Sequence, residues 1–333
     1  MTDKHVLIVG FGSAGRRHAT NMFDLGCKIS CIDTREDRRN RSMDGVEVVG
    51  RYSDLGAALN AANFDGAVVA TPTVFHVDQS IALLRAGIPI LLEKPMAMDL
   101  TSSLNLEEVR KETRVPALLG YTWRWWPPLR MAREALEGRR VGRILRVDFW
   151  MSANLLDWHP WEPLEDFFMS EKALGGGALL DESHWIDLMI WFFGIPDTVY
   201  GRVEKISDLP IDADDNVDLI AAYDNGPRVS VHLDLIGRPH EKTIRFVGSD
   251  GTLLWSADPN SIRISTDMEQ TWEIAKFDCQ RNDMFVSLAT EFVAVIDGAI
   301  PTCRLSDGLE TMRVIEAVRR SNDQRRAVPM NEV

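Results

Sequence analysis

An apolar run followed by three spaced glycines, near the start of the chain, constrains the fold more than any other part of the sequence. Residues 6–9 are all apolar and three of the four are β-branched, which is typical of a strand buried on both faces. The glycines that follow have the G-x-G-x-x-G spacing, which permits a tight turn, close approach of the backbone to a pyrophosphate, and close packing of the next helix. That helix would direct its N-terminal N–H groups at the phosphates. The predicted cofactor-binding residues of this turn are Gly10, Phe11, Gly12, Ser13, Ala14 and Gly15.

A second strand-like segment supports this interpretation because it ends in an acidic residue. Residues 28–32 have the composition of a strand, and Asp33 follows them, 23 residues after Gly10. A carboxylate at that place can accept hydrogen bonds from both ribose hydroxyls, which favours NAD over NADP as the cofactor. The alternative is a glycine-rich turn in some other α/β protein, but the motif in this context favours a dinucleotide site.

Strand-like and helical segments alternate as far as Gly120, which predicts a doubly wound parallel sheet. Ligands of such sheets bind beyond the carboxyl ends of the strands. Two segments that follow strands are therefore candidates for ligand contacts, and they contain Thr71, Pro72, Thr73, Glu93, Lys94 and Pro95. Lys94 could bind a substrate hydroxyl, relay a proton or hold a cofactor ribose, since the pKa of a lysine falls readily on partial burial. Alternatively, it is a solvated lysine that precedes a proline.

The length and the charge of the chain set further limits. Its 333 residues exceed the usual size of one domain, so we expect a dinucleotide-binding domain over residues 1–120 and a second domain over residues 121–333. The net charge of −13 argues against nucleic acid as a partner. Four cysteines without metal-type spacing favour reduced thiols in a cytoplasm. We expect no signal peptide, and the longest apolar run, residues 188–193, is too short to span a membrane.

The second half has a different character, with strand-like segments separated by turns that predict an antiparallel meander. Seven of the ten tryptophans lie between positions 123 and 185, where aromatic rings beside polar side chains would suit a sugar or cyclitol. A tryptophan-rich core or dimer interface is the alternative. The candidate substrate contacts are Trp123, Arg124, Asp157 and His159. Arg124 and Arg238 could instead meet the phosphate of a nucleotide sugar.

A run of three glycines at 175–177 leads into a segment that predicts one helix as far as residue 193. Asp181 and His184 are three residues apart and would share a face of that helix. A histidine near neutral pH can give or take a proton, and an adjacent carboxylate would orient it and raise its pKa. The alternative is a core histidine with a structural aspartate partner.

Taken together, these motifs resemble the Gfo/Idh/MocA family of sugar and polyol dehydrogenases, over essentially the whole chain. The resemblance rests on G-x-G-x-x-G-x-x-H ending at His18, on A-T-P-T-x-x-H ending at His76, and on Glu-Lys-Pro. It also rests on G-G-G-x-x-x-D followed by H-x-x-D, which contain Asp181 and His184. The resemblance implies a Rossmann domain followed by an α+β domain with an open, mostly antiparallel sheet. Such a sheet often forms an oligomer interface in the family, so we expect a homodimer or homotetramer. The last helix could pack back on the Rossmann domain.

The resemblance also implies the roles of particular residues. Lys94 would contact substrate and the nicotinamide ribose, His184 would be the general base when an alcohol is oxidised, and Asp181 would bind a substrate hydroxyl or orient the histidine. His76 joins the cofactor-binding set, and no metal is implied. The commoner family pattern is D-x-G-x-H, whereas this chain has the shorter D-x-S-H form.

The function predicted is hydride transfer between NAD and a hydroxyl or keto carbon of a sugar, cyclitol or nucleotide sugar. One alternative is a non-catalytic NAD-binding regulator on the same fold. Another is an NAD-assisted lyase or hydrolase. A metal-assisted hydrolase or lyase could use Asp157, His159, Asp181 and His184, although their spacing fits no standard metal motif.

Overall fold

The computed structural model describes residues 3–158, 168–267 and 271–333, and the chain forms two compact units. The first unit contains Met1–Thr122 and Arg281–Leu309. The second contains Trp123–Gln280 and Glu310–Val333. This division differs from the expected one over residues 121–333, because a segment near the end of the chain belongs to the first unit. Within the described ranges, every helix is too short or too polar to cross a lipid bilayer.

The first unit is built on a six-stranded sheet whose strands pair in parallel, in the order β3-β2-β1-β4-β5-β6. The strands are β1 (His5–Val9), β2 (Lys28–Ile32), β3 (Val48–Tyr52), β4 (Gly66–Val69), β5 (Ile90–Leu92) and β6 (Ala117–Leu119). The apolar side chains of β1, β4, β5 and β6 are buried almost completely, as expected for strands covered on both faces. The predicted doubly wound parallel sheet is therefore confirmed. The strand order reverses between β1 and β4, where ligands bind in such folds.

Helices connect these strands. They are α1 (Ser13–Asp24), α2 (Glu36–Arg39), α3 (Leu55–Ala61), α4 (His76–Arg85) and α5 (Leu100–Thr113). Two of them begin after an aspartate that caps the helix: Asp54 accepts the N–H of Ala57, and Asp99 accepts the N–H of Ser102, both at 2.8 Å. The sequence predicts all of these helices except α2, which has only four residues and no buried side chain.

The second unit is built on a nine-stranded sheet with the order β14-β13-β12-β11-β7-β10-β9-β8-β15. Its strands are β7 (Ile144–Ser152), β8 (Thr198–Glu204), β9 (Asn216–Ala222), β10 (Arg228–Asp234), β11 (Glu241–Gly248), β12 (Thr252–Ala257), β13 (Asn260–Ser265), β14 (Glu273–Lys276) and β15 (Val328–Pro329). Every pair is antiparallel except β7 with β10, which run parallel. The mostly antiparallel sheet is thus confirmed. A simple meander is wrong, because β7, the first strand of the unit, lies between β10 and β11.

One face of the nine-stranded sheet is covered by helices α6 (Pro127–Glu137), α7 (Ala178–Asp181) and α8 (His184–Phe193). An aromatic cluster fills the core on this side. The ring centroids of Trp185 and Trp255 are 6.1 Å apart, and those of Phe149 and Phe246 are 6.4 Å apart. All four side chains are buried. Of the tryptophans between positions 123 and 185, Trp125, Trp126 and Trp185 are thus buried in the core, whereas Trp150 is 42% exposed.

Two long helices end the chain, α9 (Arg281–Ile296) and α10 (Leu305–Gln324). Helix α9 packs against α1 in the first unit, where Asn21 and Asn282 exchange two side-chain hydrogen bonds of 3.3 and 3.0 Å. Its Phe292 and Ile296 lie so close to Gly66 of β4 that a Cβ there would be 2.6 Å from Ile296. The apolar stripe of α9 therefore belongs to the core of the first unit, which explains the difference in domain boundaries. The short 3-10 helices are Thr73–Phe75, Thr122–Trp125, Leu155–Asp157, Phe168–Ser170, Lys172–Leu174 and Met330–Glu332.

Candidate active site

The glycine turn after β1 has two glycines that the fold itself requires. Gly10 has a φ of +91°, and a Cβ there would lie 2.6 Å from the carbonyl oxygen of Ala70. A Cβ on Gly15 would lie 1.8 Å from the carbonyl oxygen of Gly10. The first glycine thus permits the turn and the third permits α1 to pack against it, as the motif predicts.

Gly12 is different, because neither its conformation nor its packing requires a glycine. Its φ is −72°, which any residue can adopt, and the nearest neighbour of a Cβ there would be Nη1 of Arg38 at 3.8 Å. The space above Gly12 is therefore open, at the N-terminus of α1. Open space at this backbone fits a pyrophosphate group that approaches the N–H groups of the helix closely. The residues present thus fit an NAD cofactor.

Asp33 follows β2 and supports the same turn. Its Oδ2 accepts the N–H of Phe11 at 2.9 Å, and its Oδ1 accepts the N–H of Arg35 at 2.9 Å. The carboxylate is therefore held in one orientation at the edge of the sheet where the glycine turn lies. Each carboxylate oxygen can accept more than one hydrogen bond, so these contacts leave acceptor capacity for a ribose hydroxyl.

The segment after β4 is tied together by His76. Its Nε2 lies 2.8 Å from the carbonyl oxygen of Thr71 and its Nδ1 lies 2.8 Å from that of Pro95. Burial lowers the pKa of His76, against the opposing effect of these hydrogen bonds. The side chain is 1% exposed, and Thr73 is also buried. His76 therefore joins two loops of the site, and a direct contact with cofactor, as the sequence predicts, is disfavoured by its burial.

Glu93 and Lys94 follow β5, and Glu93 has a partner that the sequence prediction did not include. Its Oε1 lies 2.6 Å from Nε2 of His18, and its Oε2 accepts the N–H of Lys94 at 3.3 Å. Burial raises the pKa of Glu93, but the hydrogen bond to His18 and the charges of His18 and Lys94 outweigh this and lower it. The carboxylate is thus kept ionised beside Lys94. Both carboxylate oxygens of Glu93 thus have partners within the first unit.

In the second unit, the three glycines before α7 are required by the fold. Gly175 and Gly177 have φ angles of +94° and +107°. A Cβ on Gly176 would lie 2.2 Å from the carbonyl oxygen of Met169, and a Cβ on Gly177 would lie 2.5 Å from Oδ1 of Asp214. The same Asp214 accepts the N–H of Leu179 through Oδ2 at 2.8 Å, and so holds the start of α7. Burial raises the pKa of Asp214.

Asp181 ends α7 and His184 begins α8, so the single helix predicted for this segment is wrong. The chain between them makes a tighter turn, with the N–H of Ser183 bonded to the carbonyl oxygen of Leu180 at 3.3 Å. Asp181 is 7% exposed and His184 is partly exposed. Glu182 is buried and accepts the indole N–H of Trp185 at 3.0 Å. That bond joins the turn to the aromatic core and fixes the position of His184, the first residue of α8.

The acidic residues at 212–215 accept hydrogen bonds from main-chain N–H groups of the second unit, and are therefore more than a solvated run of charges. Asp212 accepts the N–H of Lys172 at 2.6 Å, and Asp215 accepts the N–H of Ile206 at 2.7 Å. Together with Asp214, each carboxylate caps a different loop. Sequence reasoning missed them, since a run of acidic residues is usually a solvated surface; their position before the apolar β9 was the available signal.

The predicted substrate contacts Trp123 and Asp157 have different partners. Trp123 is partly exposed, and its ring contacts those of Trp126 and Trp255. Nζ of Lys242 lies 5.4 Å from the centroid of the Trp123 ring. Asp157 makes an exposed two-bond ion pair with Arg238, which lowers the pKa of that carboxyl group. His159 lies outside the described residues.

The structure also argues against Arg124 as a substrate contact. Its Nε and Nη2 donate to the two carboxylate oxygens of Asp187 at 2.9 and 2.7 Å. The arginine is 9% exposed and the aspartate is 1% exposed. A substrate phosphate would have to break this buried pair and leave a carboxylate buried and uncompensated, which is strongly unfavourable. Arg124 therefore supports α8.

Comparison with known proteins identifies the family of this chain. Residues 4–121 match the family model described as an oxidoreductase family with an NAD-binding Rossmann fold. Residues 129–254 match the model of the GFO/IDH/MocA C-terminal domain. The chain belongs to the GFO/IDH/MocA oxidoreductase family. The resemblance stated from the sequence motifs is thereby confirmed, and so is the NAD-binding oxidoreductase class.

Members of the GFO/IDH/MocA family with known names align along much of the chain. A myo-inositol 2-dehydrogenase of Thermotoga maritima is 23% identical over 98% of each chain. The rhizopine catabolism protein MocA of Rhizobium meliloti is 26% identical, and that alignment spans 58% of each protein. The structure of a levoglucosan dehydrogenase in complex with NADH superposes with a TM-score of 0.88 at 18% identity, and 99% of each chain is covered. At that identity the superposition establishes the fold.

Proposed function

We propose that this protein is an NAD(H)-dependent dehydrogenase that transfers hydride between the cofactor and a hydroxyl or keto carbon of a sugar, cyclitol or nucleotide sugar. The observation that carries the proposal is Lys94, which follows β5 at the same edge of the sheet as the glycine turn after β1. A cation there can act on a substrate oxygen beside a bound dinucleotide. Relatives named as dehydrogenases of myo-inositol and levoglucosan support the substrate class.

NAD is the cofactor that we propose, in preference to NADP. The open space above Gly12 suits the pyrophosphate, and the oriented carboxylate of Asp33 suits the ribose hydroxyls and would repel a 2′-phosphate. When bound, the nicotinamide supplies the acceptor or donor of hydride.

Side chains of the protein would transfer the proton of the substrate hydroxyl and stabilise the charge that develops on the substrate. His184 accepts the proton of the substrate hydroxyl during oxidation and returns it during reduction. Lys94 stabilises negative charge that develops on a substrate oxygen. Asp181 binds a neighbouring hydroxyl or orients His184. Trp123 is the substrate contact that we retain, because its partly exposed ring could pack against the apolar face of a sugar.

The test is turnover by a His184→Asn variant on a substrate found from a panel of cyclitols, hexoses and nucleotide sugars, followed by NADH absorbance. We expect kcat to fall by about 10²–10⁴-fold while the Kd for NAD stays unchanged. The matched control is His240→Asn, which changes an exposed histidine of the same unit. Near-normal turnover by His184→Asn would remove it from the mechanism. Binding of NAD by the wild-type protein without turnover of any panel member would favour the regulatory alternative.

We also propose that the protein forms a homo-oligomer through the outer face of the nine-stranded sheet. Large apolar side chains on this face are exposed, among them Trp150 at 42% and Ile220 at 55%. A second copy would cover them. Light scattering after size exclusion should show a dimer or tetramer that Ile220→Glu dissociates; a monomeric wild-type protein would contradict the proposal.

None of the four cysteines is in a disulfide, which supports the cytoplasm as the compartment that we propose.

A further inference from the structure

We propose that His18 is a positioning residue for Lys94, and that it acts through the carboxylate of Glu93. The inference rests on the proposed role of Lys94 at a substrate oxygen. It assigns to the histidine of G-x-G-x-x-G-x-x-H a task other than binding the dinucleotide. The contacts of α1 with the end of β5 carry the argument.

His18 points from α1 towards the sheet of the first unit. It lies three residues after Gly15, so both lie on the face of α1 that packs against the sheet. The close approach that Gly15 permits brings this part of α1 against the strands, and His18 is 0% exposed. Its Nε2 is 2.6 Å from Oε1 of Glu93, a short contact typical of a hydrogen bond to an ionised carboxylate. Since the carboxylate only accepts, Nε2–H is the donor.

The Glu93 carboxylate is held in a fixed orientation by hydrogen bonds to both of its oxygens. While Oε1 faces His18, Oε2 accepts the main-chain N–H of Lys94 at 3.3 Å. A Cβ on Gly120 would lie 3.3 Å from the same Oε2, so the backbone after β6 closes the niche on another side. A carboxylate held at both oxygens fixes the peptide from which the Lys94 side chain projects. Without the His18 donor, the carboxylate of Glu93 would lose the hydrogen bond at Oε1 and keep only the one at Oε2.

His18 is a polar side chain at a buried position on α1. Nδ1 of His18 is buried and has no hydrogen-bond partner in the part of the chain that the structure describes. The ring of Phe285 lies 6.0 Å from the His18 ring between centroids. An apolar side chain would satisfy packing alone at a smaller cost. The bond from Nε2 to Glu93 is therefore the interaction that a histidine adds here.

Other charged groups also act on Glu93, and they define the test. Arg17 of α1 and His76 of α4 interact electrostatically with the carboxylate, as does Lys94 itself. The donor from His18 is the strongest influence that lowers the pKa of Glu93 against burial. Loss of that donor therefore lets burial raise the pKa of Glu93, and the carboxylate takes up a proton at a higher pH than in the wild-type protein.

The experiment compares His18→Leu with His18→Gln, because an amide N–H of glutamine can replace Nε2–H. For His18→Leu we expect kcat to fall by about 10²-fold with an unchanged Kd for NAD, since a small displacement of a catalytic group has effects of that size. We also expect the acidic limb of the kcat–pH profile to move to higher pH. His18→Gln should restore most of kcat. Glu93→Gln, which preserves shape but not charge, should remove that limb.

Asn21→Ala is the matched control. Asn21 is also a buried polar residue of α1, but it bonds to Asn282 of α9 and not to Glu93. It should lower the melting temperature while kcat and the pH profile stay as in the wild type. An effect of His18→Leu on melting temperature alone, or equal effects of His18→Leu and His18→Gln on kcat, would overturn the inference. Failure of the wild-type protein to turn over any substrate would instead contradict the proposed function.

Discussion

Each unit contains a glycine-rich turn that leads into a helix bearing candidate site residues, yet the glycines of the two turns serve different purposes. In the first unit, Gly10 and Gly15 are required by the backbone, whereas Gly12 adopts ordinary angles beside open space. In the second unit, residues 175–177 all meet a constraint within the protein, either a positive φ or a collision with Met169 or Asp214. One turn thus leaves room for a ligand, and the other supports a helix junction.

Both turns are also anchored in the same way, by a carboxylate from elsewhere in the unit that accepts a main-chain N–H. Asp33 accepts that of Phe11, and Asp214 accepts that of Leu179. Asp33 is 9% exposed at the edge of its sheet where the glycine turn lies, and burial raises the pKa of Asp214. A glycine motif alone therefore does not reveal whether it serves a ligand or the fold. The space around each missing Cβ separates the two cases.

The largest effect is expected for Gly177→Ala, which should damage both stability and turnover. The new Cβ meets a φ of +107° and lies 2.5 Å from Oδ1 of Asp214, so the anchor of α7 must move and Asp181 and His184 with it. We expect the melting temperature to fall by roughly 5–10 °C and kcat by about 10²-fold, with NAD affinity retained.

Gly194→Ala is the control for this effect. Gly194 has a φ of +78° but no atom within 4 Å of its Cβ position, so it tests backbone strain without the collision. It should lower the melting temperature by less and leave kcat unchanged. Calorimetry and steady-state kinetics would check both variants, and unchanged kcat in Gly177→Ala would show that the second turn does not position the site.

Gly12→Ala should have the opposite signature, a loss of cofactor binding without a loss of stability. The Cβ would fill the open space above the turn, and we expect the Kd for NAD to rise by about 10–100-fold. The melting temperature of the cofactor-free protein should stay the same or rise slightly, because alanine fits the backbone angles of Gly12. Calorimetric titration would measure the affinity. Gly56→Ala, in α3, is the control, and equal weakening by both variants would contradict the distinction.

Asp33 acts on the first turn through a hydrogen bond and through its charge, and two variants separate these contributions. Asp33→Asn keeps an acceptor for the N–H of Phe11 and removes the charge, so NAD affinity should change little while NADP binds about tenfold tighter than to wild type. Asp33→Ala loses both and should weaken both cofactors. Tryptophan fluorescence titrations with NAD and NADP would compare the variants. If Asp33→Asn leaves the NADP affinity unaltered, the carboxylate does not select the cofactor.

The sequence predicts the first unit more completely than the second, for reasons that lie in the strands. Strands β5 and β6 each coincide with a short apolar run between turns, which the sequence shows directly. In the second unit, local patterns do not specify which strands pair, so the parallel pairing of β7 with β10 is not predicted. Strand β14 lacks an apolar alternation, and β15 is only two residues long.

The candidate site divides in a similar way. Gly12, Asp33 and Lys94 are predicted because each lies within three residues after a strand of a parallel sheet, where ligands bind. Arg124 and His18 could not be assigned from spacing, because their partners, Asp187 and Glu93, lie 63 and 75 residues away in the chain. The break between α7 and α8 follows from packing of Glu182 with Trp185, which a helical pattern does not reveal.

The smallest predicted effect concerns the charge of the second anchor. Burial raises the pKa of Asp214, so its ionised form is less favourable in the folded protein than in the unfolded chain. Wild-type stability from this group is therefore complete below the unfolded pKa, about 3.9, and is lost as pH rises through the higher folded value. Asp214→Asn cannot ionise and still offers an acceptor to Leu179. We expect it to melt about 1–2 °C above wild type at pH 7, with the difference vanishing towards pH 4. A variant less stable than wild type at pH 7 would mean that the charge itself holds the turn.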